Sequence, residues 1–314
     1  MADGDEAHAP ADIATPPGGG STPDSPVAAA SPVAAGSADE LGAPAHLSPS
    51  SASAFEQCPR RWRFRYVDRL EDPPGLPAVV GTFAHLVLEH LLNEPAKGRT
   101  VDRARALAAS AWPEFTETTE FGGLGLEADG VKAFKWRVWR AVEGLWQLED
   151  PAAVEVHGTE QRVTVELGGV PFVGVVDRVD VTTEGLVVTD YKSGQPPSAA
   201  YVAPRLQQVL LYAAAVRAMT GQRPVRARLL YLIGPRTIEV EATDEATEAA
   251  VGRLVVTWGE VERRLAGAQF EARPGVLCAW CPFLDRCPEG RRDLEARVAD
   301  GWRPVGAPGL RIVA

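Results

Sequence analysis

Residues 171–194, PFVGVVDRVDVTTEGLVVTDYKSG, constrain this chain more than any other stretch. β-Branched residues alternate on either side of Thr182 to Gly185, where a glycine supplies the permissive turn position. The pattern predicts two antiparallel strands joined by a tight hairpin. A turn centred between Thr183 and Glu184 sets Asp177 opposite Asp190 on one face, with side chains roughly 5 Å apart. Lys192, two residues on, emerges on the same face. The hairpin thus commits the chain to a sheet and brings two carboxylates and an ammonium to one point.

Such a group suits metal-dependent phosphodiester hydrolysis. Carboxylates hold Mg2+ or Mn2+, the ion lowers the pKa of a bound water, and a lysine positions or deprotonates that water. The same residues also describe a solvated hairpin whose Asp and Lys pair at the surface, where such pairs contribute little.

Upstream, LSPSSASAFEQCPRRWRFRYVDRL predicts a helix capped by Ser50 or Ser51 and running to about Tyr66, with Ala54, Phe55, Cys58 and Trp62 as its apolar stripe. Arg60, Arg61, Arg63 and Arg65, with Arg69 just beyond, alternate with Trp62, Phe64 and Tyr66. That mixture suits phosphate contact and base stacking, and equally an arginine face turned to water. Residues 79–92, VVGTFAHLVLEHLL, form a short apolar helix on which His85 and Glu89 share a face. Taken alone, His85 reads as a packed histidine.

Helices over 101–112 and 128–148 make a helical insertion at about 99–149. Its Trp136, Trp139 and Trp146 read as core packing, with base stacking open to any ring that is exposed. After Pro151 the period switches to two, and a strand within 154–167 brings Glu160 toward the hairpin as an accessory acid. PRLQQVLLYAAAVRAM then predicts a helix on which Gln208 and Tyr212 share a face, followed by strands at 224–232 and 237–242 and a helix over 244–268. Strands with intervening helices imply a mixed α/β fold.

The 45% hydrophobic content is enough for a substantial core. The first 45 residues are set apart by Ala, Pro, Gly and Ser, with seven acidic residues and no Lys or Arg, and read as a disordered tail. That tail holds seven of the ten net negative charges, so the overall charge of -10 says little about the remainder's affinity for nucleic acid. No signal-peptide pattern and no apolar run of about 18 residues is present, which predicts a cytoplasmic protein without membrane contact. CAWCPFLDRC spaces Cys278, Cys281 and Cys287 as C-x2-C-x5-C, and the one other cysteine, Cys58, is the natural fourth ligand of a zinc or iron–sulfur centre.

Taken together, LSPSSASAFEQCPRRWRFRY, GTFAHLVLEH, GVVDRVD, VVTDYKSG, QQVLLY and CAWCPFLDRC resemble, in order, the RecB-like branch of the PD-(D/E)XK nuclease superfamily. The chain is most similar there to Cas4-type and AddB-type nuclease domains with a four-cysteine iron–sulfur cluster. The resemblance implies a restriction-endonuclease-like mixed sheet flanked by helices, with an N-terminal helical region and an iron–sulfur staple. The nuclease domain would span 46–292, with a C-terminal extension at 293–314. By the same resemblance His85, Asp177, Asp190 and the backbone carbonyl of Tyr191 bind Mg2+ or Mn2+, with Lys192, Gln208 and Tyr212 completing the catalytic set. Cys58, Cys278, Cys281 and Cys287 would hold a 4Fe-4S cluster in preference to zinc. The implied activity is exonucleolytic hydrolysis of DNA, single-stranded at its ends, in repair or recombination. No P-loop is present, so this chain is not expected to unwind duplex DNA with ATP, and a strand terminus or a separate helicase would supply its substrate. A noncatalytic DNA-binding or scaffolding subunit of a helicase–nuclease complex, and a nuclease acting on RNA, are the alternatives.

Overall fold

The structure, a computed structural model, describes residues 44–313. The expected tail lies, but for its last two residues, outside them. In chain order the elements are α1 (Pro49–Gln57), α2 (Pro59–Tyr66), α3 (Leu76–Leu92), α4 (Val101–Thr116), α5 (Thr119–Gly122), α6 (Ala128–Leu148), β1 (Glu155–Leu167), β2 (Val170–Thr182), β3 (Gly185–Lys192), α7 (Val202–Thr220), β4 (Arg226–Tyr231), β5 (Arg236–Glu241), α8 (Asp244–Leu265), α9 (Pro288–Ala299) and α10 (Leu310–Val313). No described helix is long and apolar enough to cross a membrane.

The helix expected across 50–66 is in fact two. Cys58 precedes Pro59, and the proline ring excludes the residue before it from helical backbone. Cys58 accordingly takes φ −159°, ψ 103°, ending α1 while Pro59 opens α2. The first cap is Ser48, whose side chain accepts from the Ser51 N–H, and not Ser50 or Ser51. The break turns Cys58 out of the apolar stripe, leaving Phe55 and the fully buried Trp62 to face the core. The Trp62 indole N–H donates to Ser51 at 3.0 Å, satisfying the one polar atom that its burial strands.

The five strands lie in the order β1-β2-β3-β4-β5. All neighbours are antiparallel except β3 and β4, which are parallel. Parallel neighbours need a crossover, and α7 supplies it. Both faces of the sheet are covered. One core packs β2, β3 and β4 against α1, α2, α7 and α8, through residues such as Phe172, Val188, Leu211 and Leu254. The second packs Tyr191, Leu230 and Leu232 against α3, α4 and α6. Helix α6 approaches the end of β4 so closely that a Cβ on Gly144 would lie 2.0 Å from the Leu232 carbonyl oxygen.

The tryptophan stripe of α6 is not uniformly core. Trp139 and Trp146 pack against the second core, whereas Trp136 is 64% exposed, on the side of α6 opposite the buried Phe134, Val138 and Leu145. Helix α8 ends at Leu265, three residues earlier than expected. At the C-terminal end a small third core joins Ala279 and Leu284 to Leu294 of α9, with Leu310 and Val313 of α10 packed against it.

Candidate active site

The ladder between β2 and β3 pairs Thr182 with Gly185 and Arg178 with Thr189. One step further in this register stand Asp177 and Asp190, the cross-strand pair expected from the hairpin. Asp190 and Lys192 continue the face of Leu186 and Val188, toward α7. There Gln208 donates from Nε2 to Oδ1 of Asp190 at 3.1 Å and accepts at Oε1 from Lys192 Nζ at 3.1 Å. Lys192 Nζ also lies 2.6 Å from Oδ2 of Asp190. Lys192 is thus the charged partner of the buried Oδ2. Burial raises the Asp190 pKa, and the neighbouring Asp177 adds to the rise against the opposing Lys192.

Helix α3 brings His85 to the other carboxylate, with Nδ1 3.6 Å from Oδ2 of Asp177. The same oxygen accepts the Tyr191 N–H at 2.7 Å. Glu160 of β1 completes the group: ligand atoms of His85, Glu160 and Asp177 all lie within 4.8 Å of one another. Glu160 sits between the ladder pairs Thr159–Arg178 and Gln161–Val176 with φ 45°, left-handed backbone that costs a non-glycine residue about 1–3 kcal/mol. Its pKa is pushed up to about 7, first by burial and then by Asp177, Glu89 and Asp190. Three crowded carboxylates and a histidine form a set that fits a hard divalent cation.

His85 and Lys192 open into a cleft of about 490 Å3 at the carboxyl ends of β3 and β4, the end where parallel strands commonly present ligand-binding residues, and the three carboxylates lie behind its lining. His85, Lys192, Ser193, Arg205 and Tyr231 line it. A Cβ on Gly81 would fall 2.7 Å from Ser193 Oγ, so the glycine one turn before His85 lets α3 press against the end of β3. Tyr212, one turn after Gln208, is buried beneath β2, where a Cβ on Gly174 would meet its ring at 2.7 Å. Burial, and then Asp190, raise its pKa.

Two parts of the site escape sequence reasoning. Arg205, in the first turn of α7, reads as an ordinary surface cation until the fold aims it into the cleft. Behind Tyr191 lies a network around the fully buried Arg178, which donates to the Tyr191 hydroxyl at 2.6 Å and pairs with Glu149 at 2.6 Å and Asp180 at 2.8 Å. Arg228 bridges the same two acids at 3.0 and 2.9 Å. The D-R-V-D spacing of residues 177–180 is the only local signal for it, because Glu149 and Arg228 come from distant elements.

Each arginine of α2 meets an acid: Arg60 with Glu289 at 3.4 Å, Arg61 with Asp72 at 3.7 Å, Arg63 with Asp68 at 3.2 Å, and Arg65 with Asp72 at 3.0 Å. A phosphate would have to replace a carboxylate at each. The interleaved rings face inward, Trp62 against Phe270 and Phe64 against Phe283. Cys58, Cys278, Cys281 and Cys287 line one small cavity, and all are free thiols. Backbone N–H groups of Arg273 and Gly290 point at Cys58 and Cys287 sulfurs at 3.4 Å. Burial pushes the Cys281 thiol up to about 11 and raises that of Cys278.

A model of the PD-(D/E)XK nuclease superfamily matches residues 46–288. The Gene 69 protein of Mycobacterium phage L5 is 23% identical over 286 residues, covering 76% of this chain and 94% of its own length. The Gene 69 protein of Mycobacterium phage D29 is 24% identical over 266 residues, covering 76% and 95%. Among solved structures, a candidate exonuclease from Eubacterium rectale aligns with a TM-score of 0.44 at 14% identity, over 79% of this chain and 88% of its own. The protein SSO0001 aligns at 0.37 and 16% identity, over 79% and 87%.

Proposed function

Because the chain belongs to the PD-(D/E)XK nuclease superfamily, with that family's mixed five-stranded sheet between helices, we propose that it is a Mg2+- or Mn2+-dependent deoxyribonuclease acting on single-stranded DNA ends. The observation that carries this reading is the convergence of His85, Glu160 and Asp177, whose ligand atoms lie within 4.8 Å of one another, beside the buried Asp190–Lys192 pair. His85, Asp177, Asp190 and the Tyr191 carbonyl would hold the metal, with Glu160 as an additional acid. When bound, the ion supplies Lewis acidity toward the phosphate and lowers the pKa of the attacking water.

The protein's own residues do the rest. Lys192, fixed between Asp190 and Gln208, orients that water and offsets charge developing on the phosphate oxygens. Gln208 bonds both the lysine and the carboxylate, and Tyr212 packs below it to hold α7 against β2. Arg205 offers a guanidinium to a flanking phosphate in the same cleft. Of the α2 arginines, Arg63 and Arg65 are about half exposed and best placed to guide a strand, with Arg60 and Arg61 behind them.

The RecB-like, Cas4- and AddB-type assignment rests on the cysteines. All four line one cavity, yet among the described residues no three of their sulfurs lie within 4.8 Å of one another. One tetrahedral zinc at about 2.3 Å from each sulfur needs them roughly 3.8 Å apart. By the resemblance the four thiols would hold a 4Fe-4S cluster in preference to zinc. A separate helicase in repair or recombination would supply the single strand.

Anaerobically purified protein is to be incubated with 5'- and 3'-labelled single-stranded DNA in Mn2+, beside Asp190→Asn and an EDTA control. We expect shortening of the strand by the native protein, none in EDTA, and a loss on the order of 1,000-fold in the variant. Undiminished cleavage by Asp190→Asn would remove this site from the reaction, and cleavage in EDTA would remove the metal.

A further inference from the structure

The insertion carries an aromatic and cationic surface that the cleft chemistry does not use. On α6, Trp136 is 64% exposed, and the Arg140 guanidinium lies 5.8 Å from its ring centroid. Lys132, Lys135, Arg137 and Arg140 are all exposed along the same two turns. Among the described residues only Lys132 of these four pairs with a carboxylate, Asp129 at 2.9 Å. Beside them an apolar groove of about 370 Å3 opens between α3, α4 and α6, floored by Trp112 and Trp139. Lys135 Nζ stands 4.1 Å from the Trp112 centroid, and the Arg105 guanidinium 4.7 Å from that of Trp139.

An exposed indole among unpaired cations matches a ligand that offers flat π-faces and negative charge together. Single-stranded DNA does: bases stack on aromatic rings while phosphates neutralise Lys and Arg. An apolar protein helix could fill the groove, but it would leave Arg137 and Arg140 without counter-charges. Helix α3 is common to both places, since Thr82 and His85 face the cleft and Phe83 faces the groove.

We propose that Trp136, Arg137 and Arg140 form a platform for single-stranded DNA that extends beyond the cleft. The identity of the strand rests on the nuclease reading; the platform itself rests on α6. Its role is affinity and retention of a long strand, not bond cleavage.

The test compares the full-length protein with Trp136→Ala and with the double variant Arg137→Ala, Arg140→Ala. Substrates are a roughly 30-nucleotide oligothymidine and the p-nitrophenyl ester of thymidine 5'-phosphate, which is too short to leave the cleft. KM for the oligonucleotide should rise on the order of 10-fold in either variant, with kcat and ester hydrolysis unchanged. In EDTA, quenching of tryptophan emission by the oligonucleotide should shrink in Trp136→Phe. Unchanged KM together with unchanged quenching overturns the platform and assigns the surface to a protein partner. A native protein that hydrolyses neither substrate, yet loses quenching in Trp136→Phe, refutes the nuclease reading and leaves the platform standing.

Discussion

Gln208 holds Lys192 and Asp190 in a fixed relation through one amide, donating to the acid and accepting from the ammonium. Replacing it by Ala removes one hydrogen bond from each, so that the 2.6 Å contact with Asp190 alone must orient the ammonium. Gln208→Ala should therefore lower kcat by about 10–100-fold and raise the Mn2+ concentration needed for half-maximal rate. Gln208 is only half-buried, so thermal unfolding should barely move. A variant that loses stability but keeps its metal dependence would show the amide to be merely structural. At this scale Asp177, Asp190 and Lys192 are legible in the sequence, because a strand's period of two fixes which side chains share a face. Arg205 is not, since its aim into the cleft depends on where α7 lands after the crossover. Glu160 is legible as a nearby acid, while its left-handed backbone depends on the β1 to β2 pairing.

Among elements, α3 and α6 show what the sequence conveys and what it withholds. Both helices, and every strand, follow from apolar periodicity and turn residues. The interruption at Cys58 is also written locally, in the Cys-Pro step, but a continuous apolar stripe from Ala54 to Trp62 masks it. The approach of α6 to β4 has no local signal at all, because Gly144 matters only through Leu232, a residue remote in sequence. Gly144→Ala places a methyl 2.0 Å from a backbone carbonyl oxygen that cannot rotate away. Helix propensity favours the alanine, yet overpacking against backbone should dominate and destabilise the protein by about 1–3 kcal/mol. Thermal denaturation decides: an unchanged or higher Tm would mean that α6 is free to back away from the sheet. Tyr191 and Arg178 also depend on that packing, since Glu149 caps the end of α6.

Across the whole molecule, the start of the folded part is bound to its far end. Besides the shared cysteine cavity, Arg60 donates from Nε to the Phe270 carbonyl at 2.7 Å, and its backbone N–H reaches the Glu271 carbonyl at 3.2 Å. Arg273 in turn donates to the Glu56 carbonyl and, through its backbone, to the Cys58 sulfur. These contacts already close the loop, so a cluster here would stabilise an arrangement that the polypeptide largely holds without it. Metal binding and folding are then coupled, but only partly. Cys58→Ser should abolish stoichiometric iron and sulfide and lower Tm by roughly 5–10 °C, corresponding to about 2–3 kcal/mol for a domain of this size. The purified variant should still fold, because two independent cores and the Arg60 and Arg273 contacts persist. Complete unfolding would make the cluster a prerequisite of the fold. A native protein that carries one zinc and no iron would place a single ion among the four thiols and draw the sulfurs inward. The staple would then be the same in position and different in chemistry, and the proposed catalytic residues around Asp190, which line a separate cavity through His85 and Lys192, would be unaffected by the exchange.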